Sequence, residues 1–216
     1  MTSGSPVKLI IQFMIPMFLG NIFQQFYNIA DSIVAGQFLG VRALAAIGST
    51  GSLMFFVTGW LNGLSSGFAI LVAQWFGAKK YDRIRQGYRI SFGILTIWGL
   101  IITAAFVLLP RPISGLFFHD PESLGISVNY LIIIGFCEAF MAIELKTIGA
   151  LSGLGMTKLC SIISIILTGA RIPLAMLLTH AGMGLNGIWW ALSLTSIVKG
   201  IIFTLTFRQT SRTKLN

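Results

Sequence analysis

Charge is the scarcest commodity in this chain, and acid is scarcer than base. Only 10% of its 216 residues are Asp, Glu, Lys or Arg, against about 25% in an ordinary soluble domain. Six carboxylates in the whole chain are thin material for acid–base catalysis. The two histidines, His119 and His180, sit in loops or at helix ends without a metal-ligand partner at helical spacing. Both read as solvated, and no metal site is expected. The two cysteines, Cys137 and Cys160, fall in or beside apolar runs and read as buried thiols rather than a disulfide framework. HExxH, GxSxG and P-loop patterns are missing, and no Ser/His or paired-Asp arrangement lies inside the apolar segments. The chain is therefore not read as an enzyme, and no cofactor is expected. No soluble domain, linker or low-complexity tract is visible.

What the chain has in abundance is apolar length. Hydrophobic residues make up 55% of it, with a mean hydropathy of +0.86. Six segments, 8–37, 43–76, 90–109, 126–149, 159–180 and 184–207, carry few charges. Each approaches the roughly 20 residues that a helix needs to cross about 30 Å of hydrocarbon. The fold class that follows is all-α: a polytopic, multi-pass membrane protein forming one bundle of about six transmembrane helices over 1–216. The opening "MTSGSPVK" is followed by no small-residue cleavage site, and the first apolar stretch is too long for a signal-peptide core. The first helix is expected to be an uncleaved anchor, and the location the cell (plasma or inner) membrane.

A net charge of +9 raises the question of nucleic acid. Its distribution answers it. With the N-terminus cytoplasmic and six crossings, the inner side collects Lys8, Lys79, Lys80, Arg83, Arg85, Arg89, Lys146, Lys158, Arg208, Arg212 and Lys214. The outer side keeps Arg42 and Arg111. That asymmetry is the positive-inside rule, and it places both termini in the cytoplasm. Such a basic surface meets anionic lipid headgroups, and no aromatic-interleaved groove for nucleic acid is present. The bilayer is the expected partner.

Against this background "NIFQQFYNIADSIVAG" (21–36) stands out. Asn21, Gln24, Asn28 and Asp31 follow i, i+3, i+4 spacing and so share one helix face, with Gln25 beside it. A polar stripe on a membrane helix must face protein or water, because lipid offers no hydrogen-bond partner. Asp31 is the sharpest feature, since an intramembrane carboxylate must be neutralised or paired. Two readings stand: a proton- or cation-binding acid lining a cavity, or a structural hydrogen bonder near the outer end of the helix. Asn21, Gln24, Gln25 and Asn28 are the candidate cavity lining.

Two more acids, Glu138 and Glu144, are six residues apart and point to different faces of the fourth helix. Glu138 lies at a depth similar to Arg171 in the fifth, and an ion pair between them is expected. Glu144, close to the inner face, is expected to be hydrated. Pro16 and Pro173 permit kinks. "GQFLG" (36–40), "GLSSG" (63–67) and "GALSG" (149–153) are small-xxx-small patterns that allow close helix contact. Gly153 and Gly155 are expected to stop the fourth helix, and Trp189 and Trp190 to join an interfacial aromatic belt.

"PMFLGNIFQQFYNIADSIVAGQFLGVRALAAIGS" resembles the first helix and following loop of the multidrug and toxic compound extrusion (MATE) family. "GLSSGFAILVAQWFGAKKYDRIRQG" is similar to that family's AQxxGA element with its basic inner loop, and "TGARIPLAMLLTHAGMGLNGIWWALSLTSIVKG" to its closing helices. The family has two homologous six-helix bundles. Residues 1–76 resemble the start of the N-terminal bundle, and 79–216 resemble the C-terminal bundle. The resemblance thus implies a half-size version joining parts of both.

The resemblance implies a secondary active efflux transporter that exports cationic or amphipathic compounds in exchange for H⁺ or Na⁺. Asp31 matches the acid of the family's first helix and is the expected ion-coupling residue. Organic cations are the expected small-molecule partners. The family's two bundles are parallel repeats, so two copies of this chain are expected to stand in for them as a parallel homodimer. Two other readings are a non-transporting remnant or membrane partner subunit, and a lipid-linked saccharide flippase. The flippase would want intramembrane cations, and the spans offer only Arg171 and Lys199.

Overall fold

The computed structural model describes residues 6–214, with side chains given from Met54 onward (Leu185 and Lys214 apart) and at scattered positions before it. Six α-helices follow in order: α1 Pro6–Gly77, α2 Tyr81–Leu108, α3 Pro110–Gly115, α4 Pro121–Gly153, α5 Thr157–Leu178 and α6 Gly184–Lys214. A π-helical turn, Thr179–Met183, joins α5 to α6, with Gly182 at φ +89°. Among the described residues five helices are long and apolar enough to cross a membrane: Met54–Gly77, Tyr81–Leu108, Pro121–Gly153, Thr157–Met183 and Asn186–Thr213.

One expectation about the helices is corrected. The sequence places a connection at 38–42, between the first two apolar segments, whereas α1 continues through it without a break. The physical reason is local. That stretch contains no proline and no turn pair, and an isolated glycine such as Gly40 costs a helix only about 1 kcal/mol.

Real stops are built elsewhere. At the end of α1, Lys79 adopts φ +57° and Lys80 N–H reaches back to Trp75 O at 2.8 Å. At the end of α4, Gly155 takes φ +79° and Met156 N–H closes onto Leu151 O at 2.9 Å. Gly155 is thus the expected stop, since only glycine enters that region freely. Gly153 remains helical. Asp120 caps the start of α4 by accepting from Ser123 N–H at 3.1 Å.

The centre of the bundle is α4. It packs against α1, α2, α3, α5 and α6, and glycines let it come close. A Cβ on Gly149 would stand 2.5 Å from Ser65 O of α1, and one on Gly153 at 2.5 Å from Ala69 O. Gly99 of α2 abuts the Ala139 backbone, where a Cβ would lie 2.6 Å from Cα, and Gly200 of α6 abuts Phe140 O. The "GALSG" pattern is therefore a genuine contact. "GLSSG" contributes through Ser65, because Gly63 and Gly67 have nothing within 4 Å of an added Cβ.

Two apolar clusters fill the ends. One joins Phe68, Val72, Ile84, Tyr88, Leu151 and Phe207, with Tyr88 and Phe207 stacked at 3.7 Å. The other joins Met54, Val57, Phe106, Leu131, Ile134 and Cys137. Trp189 is buried against Tyr130 at 5.2 Å, so its role is core packing rather than an interfacial belt. Outward, α1, α2 and α5 present Phe55, Phe56, Ile97, Leu100 and Ile166, as a lipid-facing surface requires.

The first cluster marks the end where Lys79, Lys80, Arg83, Lys158, Arg208 and Arg212 are exposed. A cysteine placed at Lys79 is expected to react with a membrane-impermeant thiol reagent only after cell lysis, and one at Arg111 in whole cells. The reverse pattern would invert the orientation. For packing, Gly99→Ala is expected to cost about 1–3 kcal/mol through overpacking. Gly93→Ala, with nothing within 4 Å, should cost nothing or add roughly 0.5–1 kcal/mol. Thermal unfolding in detergent compares the two.

Candidate functional site

The stripe singled out in the sequence lies on α1, which is helical across 21–31 as its spacing requires. The side chains of Asn21, Gln24, Asn28 and Asp31 lie outside the described residues. Gln25 is exposed.

The polar groups that the structure does show converge where α4, α5 and α6 meet. Lys199 Nζ of α6 donates to Thr168 Oγ1 of α5 at 2.8 Å and stands 3.7 Å from Glu144 Oε1 of α4. One turn away on both helices, Arg171 Nε donates to Thr195 Oγ1 at 2.7 Å. Thr195 in turn donates back to Ala191 O at 2.8 Å. All five side chains are buried. Glu144 and Lys199 thus form a buried ion pair beside the Arg171–Thr195 hydrogen bond. A buried charge is tolerable only when paired and hydrogen-bonded, and this cluster meets that condition while tying three helices together.

Glu144 is therefore not hydrated, as its position near the inner face suggested, but enclosed by α6. Lys146 leaves the set of inner-surface cations. It is fully buried, with Nζ 3.5 Å from the centroid of the Tyr88 ring and 4.4 Å from that of Phe92. Tyr88 Oη and Thr147 Oγ1 share a hydrogen bond at 3.0 Å beside it.

The structure does not bring Glu138 and Arg171 together. Both carboxylate oxygens of Glu138 lack a hydrogen-bond partner among the described residues, while Arg171 Nε is engaged with Thr195. The reason is angular. On α4, Glu138 shares its face with Leu131, Ile134, Ala142 and Leu145, which pack against α1 and α2. Arg171 belongs to the α5–α6 side. Similar depth did not supply a similar direction. Cys137 and Cys160 are buried free thiols, as expected. His119 and His180 are exposed, and no group of three or more potential metal ligands occurs among the described residues.

Sequence reasoning passed over Lys199, Thr168 and Thr195 as a set. A signal was present: Thr168 and Arg171 at i, i+3, and Thr195 and Lys199 at i, i+4, place matched polar pairs on one face of each of two apolar helices.

Comparison with known proteins agrees with this architecture. Residues 16–177, three quarters of the chain, match the MatE family. The chain belongs to that family. Among curated relatives it is 24% identical over 202 residues to the probable multidrug resistance protein YoeA of Bacillus subtilis, covering 91% of this chain and 44% of YoeA. It is 32% identical over 152 residues to the probable multidrug resistance protein NorM of Thermotoga maritima, covering 68% of this chain and 31% of NorM. Among solved structures, an outward-facing multidrug resistance MATE family transporter of the MOP superfamily superposes with a TM-score of 0.86 at 22% identity. That match covers 93% of this chain and 45% of the other. A MOP superfamily transporter from Pyrococcus furiosus gives 0.83 at 22% identity, covering 93% and 44%. This MatE chain thus spans less than half the length of the relatives it matches.

The α4–α5–α6 cluster of this MatE chain makes a specific energetic prediction. Removing one partner of a buried pair, by Glu144→Gln or Lys199→Met, is expected to cost about 3–5 kcal/mol. The double variant should recover part of that loss. Thermal unfolding of the three proteins forms the double-mutant cycle, and additive losses would show that the two side chains act independently.

Proposed function

We propose that this chain works as a secondary active efflux transporter, exporting cationic or amphipathic organic compounds in exchange for H⁺ or Na⁺ across the cell membrane. The observation that carries the reading is the family match over residues 16–177, supported by relatives named as probable multidrug resistance proteins. Asp31 is the coupling acid in this reading. It binds the ion and releases it as substrate arrives. Asn21, Gln24, Gln25 and Asn28 line the same cavity and hydrogen-bond ligand or water.

The reading includes a parallel homodimer with both N-termini on one membrane face and a cleft between copies. It also keeps 1–76 as the counterpart of the start of the family's N-terminal bundle, and 79–216 as that of its C-terminal bundle. The flippase alternative gains nothing from the cations inside the spans, because Lys199 is committed to Glu144 and Thr168, and Arg171 Nε to Thr195.

The test is gradient-driven uptake of ethidium into inverted vesicles, with H⁺ and Na⁺ gradients imposed separately and empty vesicles as background. Wild type is expected to transport, and Asp31→Asn to fall to background. Equal transport by both would remove Asp31 from the coupling. No transport by either would favour the partner-subunit reading.

A further inference from the structure

Among the described residues, the buried side-chain atoms without a hydrogen-bond partner belong to Thr96 and Trp98 of α2 and Glu138 and Lys146 of α4. All are on the two helices that cross at Gly99 and Ala139. Lys146 has the faces of Tyr88 and Phe92. Glu138 has nothing comparable, and it is 0% exposed.

Its surroundings are set by the register of α4. Ile134 and Leu131, one and two turns before it, pack with Met54 and Val57 of α1 and Phe106 of α2. Ala142, one turn after it, packs with Leu61 of α1 and Leu95 of α2, and Trp98 lies against that same cluster. An unpartnered acceptor, Glu138, and an unpartnered donor, Trp98 Nε1, therefore come to one three-helix junction.

Among the described residues no cation is available there to balance a carboxylate. Met54–Gly77 of α1 contains no ionisable residue, and neither does α2 from Ile90 to Leu108. On α4 the charged neighbours are Glu144 and Lys146. Lys146 is eight residues on, roughly 12 Å along the axis, and held by its aromatic rings. From the other side of α4, Lys199 of α6 is taken by Glu144 and Arg171 of α5 donates to Thr195.

A carboxyl in such a place must carry a proton or hold a cation. A hard metal cation needs a shell of oxygen ligands. The indole N–H is a donor only, so it serves a carbonyl oxygen and cannot ligate a metal. We propose that Glu138 is a proton-binding site at the α1–α2–α4 junction, separate from Asp31, with Trp98 Nε1 donating to the carbonyl oxygen of the protonated carboxyl. The step is addition of a proton from hydronium to one carboxylate oxygen, releasing water.

The experiment is pH-jump infrared difference spectroscopy on the full chain in lipid vesicles. A protonated-carboxyl band is expected in wild type, lost in Glu138→Gln and retained in Asp31→Asn and Glu144→Gln. In Trp98→Phe it should move to higher frequency, because the carbonyl loses its donor. It should be indifferent to replacing sodium by choline. A band that survives Glu138→Gln, or that follows sodium rather than pH, overturns the proposal. Should Glu138→Gln fail to fold, Trp98→Phe decides, and an unmoved band there overturns it equally. The readout is independent of transport, so its failure leaves the efflux reading untouched.

Discussion

Everything in this bundle depends on enclosing α4. The helix is apolar around most of its circumference, yet it carries Glu138, Glu144 and Lys146 within a membrane-spanning length. Lipid cannot satisfy those groups, so other helices must surround them. Glycines make the enclosure tight: Gly149 and Gly153 admit α1, Gly135 and Gly99 admit α2, and Gly200 admits α6. Between lipid-solvated helices there is little hydrophobic drive to associate, and close van der Waals contact with interhelical hydrogen bonds takes its place. Hydrogen bonds reinforce the same contacts. Ser65 donates to Leu145 O, Thr103 to Gly135 O and Ser193 to Ile133 O.

The three charges of α4 meet three different solutions. Glu144 is answered by Lys199 from α6. Lys146 rests on two aromatic faces from α2. Glu138 is fully buried with no hydrogen-bond partner among the described residues. Each environment follows from the angle at which the residue leaves the helix, since six and eight residues along an α-helix change the face presented. The first solution is structural, tying the closing helices into one unit. The third leaves a buried carboxyl without a fixed partner among the described residues.

The chain belongs to the MatE family and shares its fold, while it spans less than half of its matched relatives. Around α4 pack α1, α2, α3, α5 and α6. The coupling chemistry proposed for Asp31 belongs to α1, the same helix that meets α4 at Gly149 and Gly153. In the proposed mechanism α1 therefore serves twice, bracing α4 through Ser65 and Ala69 and carrying the polar stripe.

Much was legible in the residues themselves. Apolar length and charge scarcity determined a membrane-spanning helical bundle, because a 30 Å hydrocarbon layer imposes a helix of about 20 residues whatever surrounds it. The stop at Gly155 was readable for the same reason: it is local. Partner choice was not. That Glu144 would find Lys199 and not water, that Arg171 would engage Thr195 and not Glu138, and that Trp189 would enter the core were decided by the packing of α4, α5 and α6. Periodicity reports which residues share a face, but only the assembled helices determine what that face meets.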